Sequence, residues 1–192
     1  MEMTLTRPRI DSRMDEASRL PTDVTEQLKP ADEGQRRTQN FVLRGLHFAM
    51  AQSAYMLRDY ATADREVTQV LELRRQQPWN ELSDKRDIAF EQAFAALTLA
   101  RLNRQSDAQK LIGPALKFER ELSPRNRDDP SQRFELAVAL YVAAVAGLGD
   151  AAAQVAEASA LMDKLPPEMR ALRDTTIWRE RIAEERSRRR PG

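Results

Sequence analysis

The sequence predicts an all-α fold built from repeated pairs of helices, and three observations carry that prediction. Ala63, Ala108 and Ala153 stand 45 residues apart. Each opens an amphipathic segment that follows a more uniformly apolar one. Seven residues after each comes a small apolar residue and then a leucine, in Val70-Leu71, Ala115-Leu116 and Ala160-Leu161. The chain has only six glycines, and its apolar fraction is rich in Ala and Leu, which favours helix over sheet. Helix pairs that cannot bury their faces alone bury them by stacking, so the repeat predicts an α-solenoid of three antiparallel pairs with a C-terminal capping helix.

Residues 1–35 are polar, with Pro8, Pro21 and Pro30 spaced through them and charges that nearly cancel. They read as a flexible tail. The sharper alternative is a short docking helix carrying Leu20, Val24 and Leu28. The first pair occupies about 36–76. Its opening segment holds Phe41, Val42, Leu46, Phe48, Met50, Ala51, Ala54, Tyr55 and Leu57, so it is covered on more than one side. A break at Arg58-Asp59-Tyr60 leads to a partner helix with Tyr60, Ala63, Val67, Val70 and Leu71 on one face.

The second pair occupies about 83–122, with Ser83 or Asp84 as candidate N-cap and a turn at Asn103-Arg104-Gln105. Gly113-Pro114 predicts a kink or short break, because proline removes a hydrogen bond and clashes with the preceding turn. The third pair occupies about 130–165. Asp129 caps it ahead of Pro130, and Gly147-Leu148-Gly149-Asp150 joins its helices. Pro166-Pro167 ends it. A capping helix follows over 166–188, in one piece or two, with Asp174 able to cap the longer and Thr175, Trp178 and Ile182 on one face. Residues 189–192 are a basic tail.

These residues resemble the tetratricopeptide-repeat family. Asp59-Tyr60-Ala61-Thr62-Ala63 is similar to that family's interhelix turn and small second-helix alanine. Ala108 with Ala115, and Ala153 with Ala160, match its pair of small residues seven apart. Its small first-helix residue falls at Ala51 and Ala96, with Tyr141 departing from the pattern; its first-helix aromatic is missing at His47 and Gln92. The 45-residue period exceeds the family's usual length, the third turn aligns only if one residue shorter, and HEAT-like repeats are the rival. The resemblance implies right-handed superhelical stacking, with first helices lining a concave face. Phe48, Gln52, Tyr55, Ala93, Leu97, Val138 and Val142 would face that groove, an apolar surface suited to a hydrophobic peptide or helix, unless the chain's own tail or last helix fills it. Trp79, beside Pro78, is a further candidate contact.

Other chemistry finds little support. The single histidine, His47, has no carboxylate spaced to share a metal, and reads as a packed interhelix side chain. There is no cysteine, no phosphate-binding glycine loop and no nucleophile or zinc motif, so no cofactor, metal or enzyme activity is expected. Glu119-Arg120-Glu121 and Glu184-Glu185 read as solvated surface. A net charge of +1 gives no field for nucleic acid, and the arginines at 186, 188, 189 and 190 read as a solvated terminal run. No stretch is long and apolar enough to span a membrane, and the N-terminus lacks a leader's apolar core. The expectation is a cytoplasmic, non-catalytic protein-interaction or scaffold module with a protein or peptide partner and a possible homo-oligomer. The alternative is a regulatory or sensor region of a larger bacterial-type signalling protein.

Overall fold

A computed structural model describes residues 19–27, 29–76, 81–126 and 128–189 of the chain. Every regular element among them is an α-helix: α1 (Leu20–Gln27), α2 (Glu33–Met56), α3 (Tyr60–Arg75), α4 (Leu82–Arg101), α5 (Gln105–Leu122), α6 (Pro130–Val145), α7 (Ala151–Asp163), α8 (Pro167–Arg170) and α9 (Arg173–Arg188). The chain divides into two compact units, 1–79 and 80–192.

In the first unit α2 packs along α3, and α1 packs on α2. The boundary of the polar tail at residue 35 therefore needs correction. Residues 20–27 are helical, Pro21 is buried, Val24 is half-buried, and α2 already begins at Glu33. Proline is tolerated in a first helical turn, where its missing N–H has no partner to lose. Leu28 lies outside the described residues. Asp32 caps α2 by accepting from the Gln35 N–H at 2.8 Å, and the Gln35 side chain accepts in return from the Ala31 N–H at 2.9 Å.

In the second unit α4 packs along α5 and α6 along α7, while α6 also touches α4, α5 and α9. Residues 136–144 of α6 are buried without interruption. A helix apolar around its whole circumference needs cover on every side, and these four neighbours supply it. Trp178 of α9 lies edge-on to Tyr141 of α6 at 6.0 Å between centroids and to Phe90 of α4 at 6.3 Å. Thr175, Trp178 and Ile182 are buried along one seam of α9, as their spacing predicts.

One turn recurs three times. After α2, the Asp59 N–H bonds the Ala54 carbonyl and the Arg58 N–H bonds Tyr55. After α4, Arg104 bonds Leu99 and Asn103 bonds Ala100; after α6, Leu148 bonds Ala143 and Gly147 bonds Ala144. Each is a Schellman closure around a left-handed residue: Arg58 at φ 63°, Asn103 at φ 60° and Gly147 at φ 71°. The first two stand 45 residues apart and the third 44 further on. The third then adds Leu148 and Gly149 before Asp150 caps α7, accepting from the N–H groups of Ala152 at 3.0 Å and Ala153 at 3.1 Å.

The buried face of the third second-helix falls at a different spacing. Ala63 and Ala108 are fully buried, whereas Ala153 and Ala160 are exposed. The buried faces align as Val67, Val70 and Arg74; then Ile112, Ala115 and Glu119; then Val155, Ala158 and Met162. The step is 45 residues from the first set to the second and 43 from the second to the third. Identical alanine spacing therefore marks the wrong face of α7.

Three local expectations also change. α5 runs unbroken through Gly113-Pro114, since its buried side chains Ile112, Ala115, Leu116 and Glu119 hold both halves against their neighbours. α4 begins at Leu82 behind Glu81, so Ser83 and Asp84 sit inside the first turn rather than at the cap. α9 begins at Arg173 behind Leu172, which puts Asp174 in the first turn too, where its charge still meets the helix dipole favourably.

The third turn is locked from α5: the Gln109 side-chain amide donates to the Ala146 carbonyl at 2.9 Å and to that of Gly147 at 3.2 Å. A methyl group on Gly147 would meet only the Gln109 Nε2, at 3.7 Å, so space is not the obstacle; the positive φ is. Gly147→Ala is expected to lower stability by about 1–2 kcal/mol in urea unfolding. Unchanged stability would contradict the left-handed turn.

Candidate functional site

The residues expected to line a groove fall into two groups. Ala93, Leu97, Val138 and Val142 are core side chains of the second unit, and Tyr55 is buried in the first with its ring 5.2 Å from that of Tyr60. The resemblance assigned them to an open face, but α4 and α6 are closed over by their helical neighbours. Phe48 and Gln52 remain half-exposed on α2. Trp79 lies outside the described residues.

Phe48 and Gln52 belong to a longer stripe. Phe41, Val42, Gly45, Phe48, Ala49, Gln52 and Met56 recur at three- and four-residue steps along one side of α2. Phe41 is 61% exposed and Met56 54%. A Cβ added at Gly45 would meet nothing within 4 Å, so the backbone itself is open to approach at mid-stripe. The Arg44 guanidinium lies 5.1 Å from the Phe41 ring centroid, a cation–π contact beside an otherwise apolar surface.

Two sets of polar side chains join helices. In the first unit the His47 Nδ1 lies 2.8 Å from the Glu66 Oε2, joining α2 to α3, and Arg65 Nε donates to the other Glu66 oxygen at 3.2 Å. His47 is thus packed between helices, as expected, with Glu66 as its partner. Among the described residues no group of three His, Asp or Glu side chains could hold a metal ion.

The second set overturns the solvated reading of Glu119, which is 2% exposed. Its place in the Ile112, Ala115, Glu119 series put it on the buried face of α5. Gln132 of α6, also buried, donates its amide Nε2 to Glu119 Oε2. Arg86 of α4 grips Glu135 of α6 with two hydrogen bonds, from Nε at 2.7 Å and Nη2 at 3.0 Å, and reaches Asp129 from Nη1 at 3.1 Å. Burial disfavours the charged guanidinium, but Glu135 and Asp129 outweigh it and hold the Arg86 pKa above its ordinary value. Burial pushes the Glu135 carboxyl up, with Arg86 opposing. This cluster clamps α4 to the N-terminal end of α6. Sequence reading missed Arg86, Gln132 and Glu135, because pairing across 43 and 49 residues has no local signature.

Further ion pairs lie along α9. Glu184 meets Arg188 at 2.6 Å; Glu185, which is buried rather than solvated, accepts from Arg189 at 2.7 Å. Arg186 donates to Ser159 at 3.1 Å, and Arg189 also reaches the Ala144 carbonyl at 3.3 Å. The basic run thus ties α9 to itself and to its neighbours. No helix among the described residues is long and apolar enough to cross a membrane.

Removing one partner of a buried ion pair costs more than removing both, because the survivor keeps its desolvation cost. Arg86→Met is expected to destabilise the second unit by about 3 kcal/mol, and Arg86→Met/Glu135→Leu to recover most of that in denaturant titration. Equal losses in the single and double variants would contradict the clamp. No protein-family model, curated protein or solved structure matches this chain.

Proposed function

We propose that the chain is a non-catalytic protein-interaction module that takes an apolar peptide or amphipathic helix along the exposed stripe of α2. The observation that carries this reading is the run Phe41, Val42, Gly45, Phe48, Ala49 and Met56, left accessible on a helix whose other side is buried. Large apolar surface kept in water marks contact sites. A partner helix with apolar side chains at positions i, i+3 or i+4, and i+7 matches the stripe's spacing, and Gly45 lets its backbone come close. Gln52 offers an amide at the centre, while Glu33, Arg36 and Arg37 at the exposed start of α2 supply charges for orientation.

The architecture we propose is a tetratricopeptide-like, right-handed solenoid of three helix pairs capped by α9. The thrice-repeated Schellman turn and the aligned buried faces of α3, α5 and α7 support it. In this reading the contact surface lies on the outer side of the first helix, and the inner positions of α4 and α6 serve the core.

A displayed library of helical peptides, selected against the full chain, tests the reading. Selected peptides should share the apolar i, i+3/i+4, i+7 pattern and lose roughly tenfold or more in affinity for Phe41→Glu/Met56→Glu. Far-UV circular dichroism should show that the variant keeps its helix content. Peptides that bind wild type and variant equally would place recognition elsewhere, and a library yielding no binder would remove the reading.

A further inference from the structure

We propose that Glu119, held by Gln132 between α5 and α6, forms a proton-dependent catch, most stable while the Glu119 carboxyl holds a proton and weakened by the cost of a buried anion when the proton leaves. The case begins with charge. Glu119, Asp129 and Glu135 gather around a single guanidinium, and every nitrogen of Arg86 is turned to Glu135 or Asp129. Asp87 adds a further negative charge near Glu135 from α4. No cation among the described residues pairs with Glu119. Ionised, it would be a buried anion beside the Glu135 carboxylate with only an amide for company. Such a group neutralises rather than bear its desolvation.

Hydrogen bonding leaves the site incomplete in either state. The Gln132 side chain is 1% exposed, and its Oε1 has no hydrogen-bond partner. Its Nε2 donates to Glu119 Oε2, a bond that favours the ionised carboxyl but is outweighed by burial and Glu135. Reversing the amide would give a protonated Glu119 O–H an acceptor and leave the Nε2 hydrogens unpaired in its place. The third pair places Met162 where the second places Glu119, so an uncharged side chain fits this position of the repeat.

The Glu119 pKa is raised from 4.5 to about 7, by burial first and Glu135 second, against Gln132 and Arg86. A folded-state value above the unfolded one gives stability that is complete below pH 4.5 and is lost as pH rises through about 7. Between pH 5.5 and 8.0 the folding constant therefore falls about thirtyfold on account of this one group.

The test uses the full chain carrying Trp79→Phe, so that Trp178 alone reports on the second unit, with Glu119 intact, Glu119→Gln or Glu119→Met. Urea unfolding is followed at pH 5.5 and 8.0, and the Glu119 carboxyl is titrated by carbon-13 NMR in the intact chain. The expected result is a loss of about thirtyfold in the folding constant that both substitutions remove, with a carboxyl midpoint near 7. The same pH dependence with and without Glu119, or a carboxyl midpoint near 4.5, would overturn the proposal. If either variant fails to fold, the other and the NMR titration still decide.

Discussion

The enclosure of α6 is the constraint on which the rest of the second unit depends. From Leu136 to Ala144 every side chain is buried, so this helix has no solvent face to offer. Alone it would be insoluble and unstable; covered by α4, α5, α7 and α9 it becomes the core. Alanines at 137, 139, 143 and 144 bring neighbouring backbones close, while Leu136, Leu140 and Tyr141 fill the spaces between. Counted back from the left-handed turn residue, Leu140 stands where the earlier pairs have Ala51 and Ala96, and Tyr141 comes next. Its ring meets Trp178, the side chain by which α9 closes this end of the unit.

The two ends of α6 meet different physics. Its C-terminal half is apolar and aromatic. Its N-terminal turn carries Gln132 and Glu135 into contact with Arg86 and Glu119, and Asp129 caps it while also accepting from Arg86. A buried cluster with more anions than cations is a poor source of stability. It is a strong source of position, because the bidentate Arg86–Glu135 geometry admits few arrangements of α4 against α6. The same scarcity of cations leaves Glu119 dependent on its proton. Placement and pH response thus arise from one imbalance.

Much of this was legible in the sequence where the signal is local. Asp129 marks a helix start because a short carboxylate captures free N–H groups, and it does so; Asp59 and Asp150, read only as parts of turns, cap their helices in the same way. Asn103 and Gly147 mark turns because they tolerate positive φ; Arg58 does the same without announcing it, and only the repeat gives it away. The stretches with helical periodicity are helices. What failed was long-range. Ala153 kept its spacing but lost its burial, since the buried face of α7 runs through Val155, Ala158 and Met162, 43 rather than 45 residues on from its counterparts in α5. Leu97 and Val138 looked like a groove because sequence shows which side of a helix is apolar and not what covers it. Glu119 looked solvated when read with its charged neighbours Arg120 and Glu121, and buried when read with Ile112 and Ala115.

The exposed stripe of α2 and the sealed α6 both carry apolar side chains at helical spacing, and what packs on each decides which is surface and which is core. Native-state hydrogen exchange on the full chain, resolved by residue, tests that distinction most directly. Amides of residues 136–144 should exchange only through global opening of the second unit, with the highest protection in it. Protection there no greater than at the ends of α9 would show that α6 is not enclosed, and would contradict the fold from which the clamp and the catch are drawn.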